Sequence, residues 1–299
     1  MTLEQLRIFI AVAEREHLTR AADALALTPS AVSASLRALE ERYDTPLFHR
    51  IGRGIQLNDA GHLFLAEARA TLAAARNAEL ALAELAGLQR GTLAVHASQT
   101  IASYWLPPLL LAFHRRHPLI TLSLTIGNTS SVAQAVRDGL ADLGLVEDGV
   151  EAPELAATVV AQDRLVAVVA PSHPWADGRA VDAEALRAAD WILREPGSGT
   201  RSAFETRLAA LGIAPAQLRV ALALPSNEAV RSAAMAGPYA TVVSELVVAP
   251  HLQAGLLCRV NLDLPPRPFS LLQHRQRLPS RAALALAQML ASQGGVEAA

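Results

Sequence analysis

Residues 18–58 read LTRAADALALTPSAVSASLRALEERYDTPLFHRIGRGIQLN, and their spacing decides the fold of the first part of the chain. Ala21, Ala22 and Leu25 recur at helical spacing over about 19–26, so one face of a first helix is small and apolar and a second helix can cross it closely. Leu27-Thr28-Pro29 interrupts; Thr28 suits an N-cap and Pro29 the first position of a new helix. That helix, over 29–43, turns Val32, Leu36 and Leu39 inward and leaves Ser30, Ser33, Ala34 and Arg37 on its other face. A helix crossed by a second one with small, hydrogen-bonding residues exposed near its N-terminus is a helix-turn-helix for the major groove. Residues 47–57, LFHRIGRGIQL, follow as a two-stranded wing with Arg53 between Gly52 and Gly54 at its tip. Residues 45–58 hold His49, Arg50 and Arg53 and no acid. The candidate DNA contacts are Thr19, Arg20, Thr28, Pro29, Ser30, Ser33 and Arg37 on the helices, with Arg50 and Arg53 on the wing. Across 18–58 the five arginines 20, 37, 42, 50 and 53 meet Asp23, Glu40, Glu41, Asp44 and the neighbouring Asp59, so a basic surface must come from arrangement rather than excess. On pattern alone, an ordinary helical subdomain fits the stretch as well.

Four segments carry a family resemblance: LEQLRIFIAVAE at 3–14, LTRAADAL at 18–25, TPSAVSASLRALE at 28–40 and LFHRIGRGIQLNDAG at 47–61. Together they resemble the N-terminal domain of LysR-type transcriptional regulators, and the similarity continues through the C-terminal region. Ser33, Arg50 and Arg53 match the family's DNA-contacting pattern. The turn reads Thr28-Pro29-Ser30 where the family commonly has Ser-Gln-Pro, and Ala34 stands where it often has Arg or Gln. Those departures bear on which bases are read, not on whether DNA is bound.

The 299 residues suffice for two or three domains. With 52% hydrophobic but only 4% aromatic residues, the cores must be built from Ala, Leu and Val. A net charge of −2 argues against a nonspecific polyanion binder and allows a local DNA patch. All 26 basic residues are arginine. Glu4, Arg7, Glu14, Arg15 and Glu16 are foreign to a signal peptide, and no uncharged apolar run reaches membrane-spanning length; the longest candidate, 102–113, contains Pro107-Pro108. Cys258 is the single cysteine, which excludes an intrachain disulfide; within LLCRV it reads as a packing residue. A cytoplasmic protein with no membrane partner is expected.

A first helix covers 3–15, with Leu6, Phe9, Ile10 and Ala13 inward. Asn58 or Asp59 caps a long helix over about 60–87. Leu65, Ala68, Leu72, Ala75, Glu79, Leu82 and Ala86 alternate steps of three and four along it, a heptad seam read as a dimerisation surface; the alternative is a helix lying on its own domain. The linker is 87–91. From 92 onward strands and helices alternate, which predicts a parallel sheet with helices on its faces. A second series begins after Ala161-Gln162-Asp163, and Leu264-Pro265-Pro266-Arg267-Pro268 breaks it. The expected layout is an all-α winged helix-turn-helix at 1–58, a linker and dimerisation helix at 59–90, and an α/β effector domain. Its lobe I is 91–163 with 268–299, and its lobe II is 164–267. The two-lobed part is similar to the family's effector domain, which resembles periplasmic solute-binding proteins. The tail GGVEAA reads as disordered.

Four loops follow strands and open helices: Ser98-Gln99-Thr100, Asn128-Thr129-Ser130, Gly197-Ser198-Gly199-Thr200 and Ser226-Asn227. Ligands in open α/β sheets sit outside the carboxyl ends of strands, where helix N-termini favour anions. Each loop alone is equally an N-cap. Together they point to a small anionic or oxygen-rich effector, held by neutral donors with no buried lysine. Ser98, Gln99, Thr100, Asn128, Thr129, Gly197, Ser198, Gly199, Thr200, Ser226 and Asn227 are the effector candidates. An enzyme is disfavoured. Gly197-x-Gly199 lacks the third glycine of a dinucleotide fingerprint, because position 202 is Ser; Ser198 has no elbow motif; and His114 with His117 has no third metal ligand. No cofactor or metal is expected. The phrases ILREPGSGTR (192–201) and PSNEAV (225–230) resemble LysR members that respond to sulfur oxyanions such as sulfite. They also resemble members controlling carbon dioxide fixation, which sense phosphorylated or organic acids. The reading is therefore a LysR-type regulator acting as dimer or tetramer on operator DNA, with RNA polymerase a further candidate partner. The readings from other classes are a two-lobed solute-binding protein and a Rossmann-type enzyme.

Overall fold

The computed structural model describes residues 1–51, 54–85, 91–150 and 152–293. The chain divides into two compact units, the first built on the N-terminal helices and wing and the second on the α/β part.

In the first unit, α1 (Leu3–Arg15) starts in a capping box between Thr2 and Gln5, and α2 (Leu18–Leu25) is capped by His17. The third helix, α3 (Pro29–Tyr43), starts where Thr28 Oγ1 accepts the Ala31 amide, with Pro29 at its head. The wing is the antiparallel hairpin β1 (Phe48–Ile51) and β2 (Gly54–Leu57), in the register Phe48↔Leu57 and Ile51↔Gly54. The long helix α4 (Asp59–Leu85) begins where Asn58 Oδ1 accepts the Gly61 amide at 2.8 Å. Phe9 is fully buried and touches Phe48 of the wing and Phe64 of α4, with ring centroids 5.6 and 4.8 Å away. One aromatic thus ties three elements together.

The seam of α4 is corrected by the packing. Leu65, Ala68 and Leu72 join the core of the first unit, and Leu72 is 9% exposed. The first half of the helix lies on its own domain, while Glu79 and Leu82, further along, are exposed and Leu82 reaches 68%. Ala86, the 87–91 linker up to residue 90, Arg53 and the GGVEAA tail lie outside the described residues.

The second unit opens with β3 (Gly91–Ser98), a π-helical turn at Ile101–Trp105, α5 (Leu106–Arg116), β4 (Ile120–Gly127), α6 (Thr129–Arg137), β5 (Leu143–Glu147) and β6 (Leu155–Asp163). After the first crossing come β7 (Leu165–Val169), α7 (Ala183–Ala188), β8 (Asp190–Arg194), α8 (Gly199–Ala210), β9 (Arg219–Leu224), α9 (Asn227–Ala236), β10 (Thr241–Ser244), α10 (Glu245–Gln253) and β11 (Cys258–Arg259). The chain then crosses back into β12 (Arg267–His274) and α11 (Arg281–Gln293). The first lobe holds a five-stranded sheet ordered β4-β3-β5-β12-β6, and the second has β10-β7-β11 beside β8-β9.

Neither lobe is purely parallel, contrary to the expectation, although β3 runs parallel to β4 and β5, and β8 parallel to β9. In the first, β12 runs antiparallel to both β5 and β6; in the second, β10 and β11 run antiparallel to β7. The strand after each crossing returns from the other lobe rather than through a helix on its own sheet, so no right-handed crossover sets its direction. The strand β6 had no prediction. Its residues 157–159 are exposed, and its Ala/Thr-rich sequence lacks apolar alternation. By contrast, β5 and β7 are buried at every residue. Trp191, fully buried among Trp175, Phe204 and Leu186, centres the core of the second lobe. Half-buried Cys258 packs at the edge of that core.

Candidate functional site

Two sites are set by these elements. In the first unit, α2, α3 and the wing enclose a groove of about 600 Å³ lined by Thr19, Ser33, Arg37, Glu40, Phe48 and Ile55 among others. Three predicted contacts, Thr19, Ser33 and Arg37, therefore face one space. Arg20, Thr28, Pro29 and Ser30 are exposed near the starts of α2 and α3. Thr28 spends its hydroxyl on the cap and on a 3.1 Å contact with Ser30 Oγ. Arg50 belongs to β1.

In the second unit the four predicted loops meet at the boundary between the lobes. Gln99 Oε1 accepts the Asn227 amide (2.7 Å), and its Nε2 donates to Glu228 Oε2 (2.5 Å). Asn227, fully buried, donates from Nδ2 to Thr100 Oγ1 (3.1 Å) and accepts Arg194 Nη1 (2.7 Å). Tyr104 of the π-turn donates to Glu228 Oε1 (2.7 Å). Burial, then the Glu228 carboxylate, push the Tyr104 phenol up to about 12. At the other rim, Asn128 Nδ2 donates to Glu195 Oε1 (3.2 Å) and the Ser130 amide to the Gly197 carbonyl (3.2 Å). Gly199 sits so close to the facing loop that a Cβ there would lie 2.6 Å from Thr129 Oγ1. Gly197 has φ +87°, which only glycine adopts without strain.

Two members act as caps. Ser226 Oγ accepts the Ala229 amide and Asn128 Oδ1 the Ser131 amide, so these oxygens are committed to α9 and α6. The start of α8 differs: Ser198 makes no side-chain cap. The Ser98 hydroxyl is buried without a hydrogen-bond partner.

The expectation of neutral donors alone is overturned. Arg194 and Arg267 are 4% and 3% exposed and belong to this boundary. Arg194 Nε donates to Glu195 Oε2 (2.8 Å). Burial raises the Glu195 carboxyl, but the Arg194 hydrogen bonds and charge outweigh it and hold the group below its ordinary value. Arg267 donates from Nε to Asp163 Oδ2 (2.8 Å) and from Nη1 to Thr200 Oγ1 (3.2 Å), with Glu147 Oε1 3.8 Å from its Nη2. Burial raises the Asp163 carboxyl in spite of Arg267. The signals were faint: an arginine ending the apolar strand Ile192-Leu193-Arg194, and one enclosed by prolines at 265, 266 and 268.

Comparison with known proteins places both parts of the chain in one family. Residues 3–62 match the family described as bacterial regulatory helix-turn-helix protein, lysR family, and residues 86–295 match the LysR substrate binding domain. The uncharacterized HTH-type transcriptional regulator YeiE of Escherichia coli strain K12 is 36% identical over 284 residues, 94% of each chain. A probable RuBisCO transcriptional regulator of Cyanophora paradoxa is 33% identical over 289 residues, 94% of this chain and 89% of that one. The full-length regulator CbnR, solved with its target DNA, superposes with a TM-score of 0.68 at 26% identity, covering 98% of this chain and 100% of that one.

Proposed function

The chain belongs to the LysR family of DNA-binding transcriptional regulators, and on that premise we propose that it answers to a small oxyanion, such as sulfite or sulfate, held between the two lobes of its effector domain. It works in the cytoplasm as a dimer or dimer of dimers on operator DNA. Thr19, Arg20, Thr28, Pro29, Ser30, Ser33 and Arg37 meet the DNA from the helices, Ser33 at base edges, while Arg50 and Arg53 reach it from the wing. No helix among the described residues is long and apolar enough to cross a membrane.

One observation carries the effector reading. Helices α6, α8 and α9 begin at the lobe boundary, and α8 alone of the three has no side-chain cap there. Its first amides and the dipole of the helix suit an anion. The unpartnered Ser98 hydroxyl and the hydroxyls of Thr100 and Thr200 supply further donors. A ligand held from both lobes shifts the balance between lobe arrangements by its preference for one of them, and the dimer transmits that change to the spacing of its DNA-binding domains.

A thermal-shift screen of the full chain against sulfite, sulfate, thiosulfate, phosphate, phosphoglycolate and nicotinamide dinucleotides tests this. At a hundredfold its dissociation constant a ligand stabilises by about 2.7 kcal/mol, about 5–10 °C for a domain of this size. Thr200→Val and Thr100→Val should each shrink the shift sharply; an undiminished shift removes the proposed site. A second reading has its own support. The buried guanidiniums of Arg194 and Arg267 suit the fork geometry of a carboxylate or phosphate, and several relatives are named RuBisCO regulators. A shift with phosphoglycolate but not with the sulfur oxyanions selects that reading.

A further inference from the structure

We propose that Glu40 is a positioning residue for DNA binding: its carboxylate ties the foot of the wing to α3 through the Leu47 amide, and so sets the angle at which the wing meets DNA. The inference rests on the reading that the wing arginines contact DNA.

Glu40 follows Ser33 and Arg37 by steps of four and three, so it shares their face of α3, and it lines the same groove. An acid on a face that approaches a polyanion opposes binding by its charge. Here its Oε1 accepts the Leu47 amide at 2.7 Å, seven residues along the chain. Leu47 follows Pro46, which has no N–H, so this amide is the first donor on the way into β1. Where the chain leaves β2, the Leu57 amide donates to Glu16 Oε1 at 3.4 Å. The Asn58 amide donates to the Leu47 carbonyl at 3.1 Å and closes the foot. The residue before β1 and the last residue of β2 thus each have an amide held by a carboxylate, one from α3 and one from the end of α1. A hairpin of two four-residue strands has little orientation of its own. Phe48 packs on Phe9 at 5.6 Å, and Leu47, Ile55 and Leu57 pack on the same core; these contacts seat the foot of the wing without a directional preference, and the hydrogen bond from Leu47 to Glu40, which is directional, constrains its angle.

Charge and position predict opposite signs, which makes the test sharp. The readout is the affinity of the full chain, and its dependence on salt, for a duplex selected by the parent protein from random-sequence DNA. Glu40→Gln keeps an acceptor for Leu47 and removes the negative charge. It should bind at least as tightly as the parent, with the same salt slope. Glu40→Ala loses the acceptor. It should bind about tenfold more weakly, with a slope flatter by about one unit, approaching that of Arg53→Ala. Tighter binding by both variants would mean that Glu40 only repels DNA, and would overturn the proposal. So would a folded Glu40→Ala protein with a lower melting temperature and the parent slope, since a purely structural role leaves the slope alone. If Arg50→Ala and Arg53→Ala leave the slope unchanged, the wing reading itself fails. If they flatten it and Glu40→Ala does not, only the present proposal fails. Should Glu40→Ala not fold, Glu40→Asp keeps the charge and withdraws the acceptor by one methylene; weak binding with a flat slope supports the proposal, and parent-like binding refutes it.

Discussion

Replacing Arg267 with methionine tests how the lobe boundary is held together. Methionine keeps much of the buried aliphatic volume and deletes the guanidinium, which is 3% exposed. Asp163 then loses its 2.8 Å partner and keeps only the Ser244 hydroxyl at 2.6 Å. Glu147, also 3% exposed, loses the cation 3.8 Å away. Removing one member of a buried pair costs about 3–5 kcal/mol. For a domain of this size that lowers the melting temperature by about 6–20 °C. The pH dependence follows from the sign of the Asp163 shift. Burial already raises this carboxyl, and Arg267 is the main opposing influence. A group raised in the folded state stabilises the fold below its unfolded value, and that contribution is lost as pH rises through the folded value. Without Arg267 the shift grows, so the variant is most penalised at neutral pH and recovers as the pH falls towards the carboxylate range. Calorimetric or dichroism melts of parent and variant, at about pH 7.5 and about pH 5, measure both effects. A fall under about 2 °C, or one equal at the two pH values, would show that the buried charges are not coupled as described.

Four further outcomes are expected. Arg53→Ala weakens binding to all sequences and flattens the salt slope by about one unit; titrations at several salt concentrations check it. Leu82→Asp, at an exposed residue of α4, should dissociate the proposed dimer without lowering the N-terminal melting transition, whereas Leu72→Asp should unfold that domain because Leu72 is in its core. Sedimentation together with melting separates the two. A Cβ at Gly61 would lie 2.2 Å from the Leu47 carbonyl oxygen, so Gly61→Ala should cost the N-terminal domain about 1–3 kcal/mol in denaturant titration. Gly199→Ala would bring a methyl group to 2.6 Å from Thr129 Oγ1 and should blunt the oxyanion thermal shift while leaving DNA affinity in the absence of effector unchanged.

The local signals in the sequence were sufficient for the elements they govern. Thr28 and Pro29 start a helix that runs Pro29–Tyr43, over the predicted 29–43. Asn58 caps α4 through the Gly61 amide. The glycines at 197 and 199 mark a loop where backbone conformation and close approach leave no room for a side chain. Each depends on residues within a few positions of one another, so the sequence reports them directly. The alternation of strand and helix from 92 onward, with its break at the prolines, likewise made two lobes legible.

What remained hidden depends on partners far apart in the chain. The Arg267–Asp163 bond joins residues 104 apart, and the Gln99–Glu228 bond residues 129 apart. An arginine reads as a surface residue until a distant carboxylate is brought against it, because only the pairing makes its burial tolerable. The direction of β12 depends on the return from the other lobe, and β6 exists because β12 pairs with it from Arg267↔Asp163 to His274↔Leu155. Leu72 carries a heptad spacing that suits a second chain and its own domain equally well, and the packing of α4 against α1 chooses the latter for that half of the helix. Local spacing and capping therefore determined the helices, the wing and the two-lobed plan. Only the tertiary structure decided which side chains those elements bury together, since burial is a property of long-range contacts.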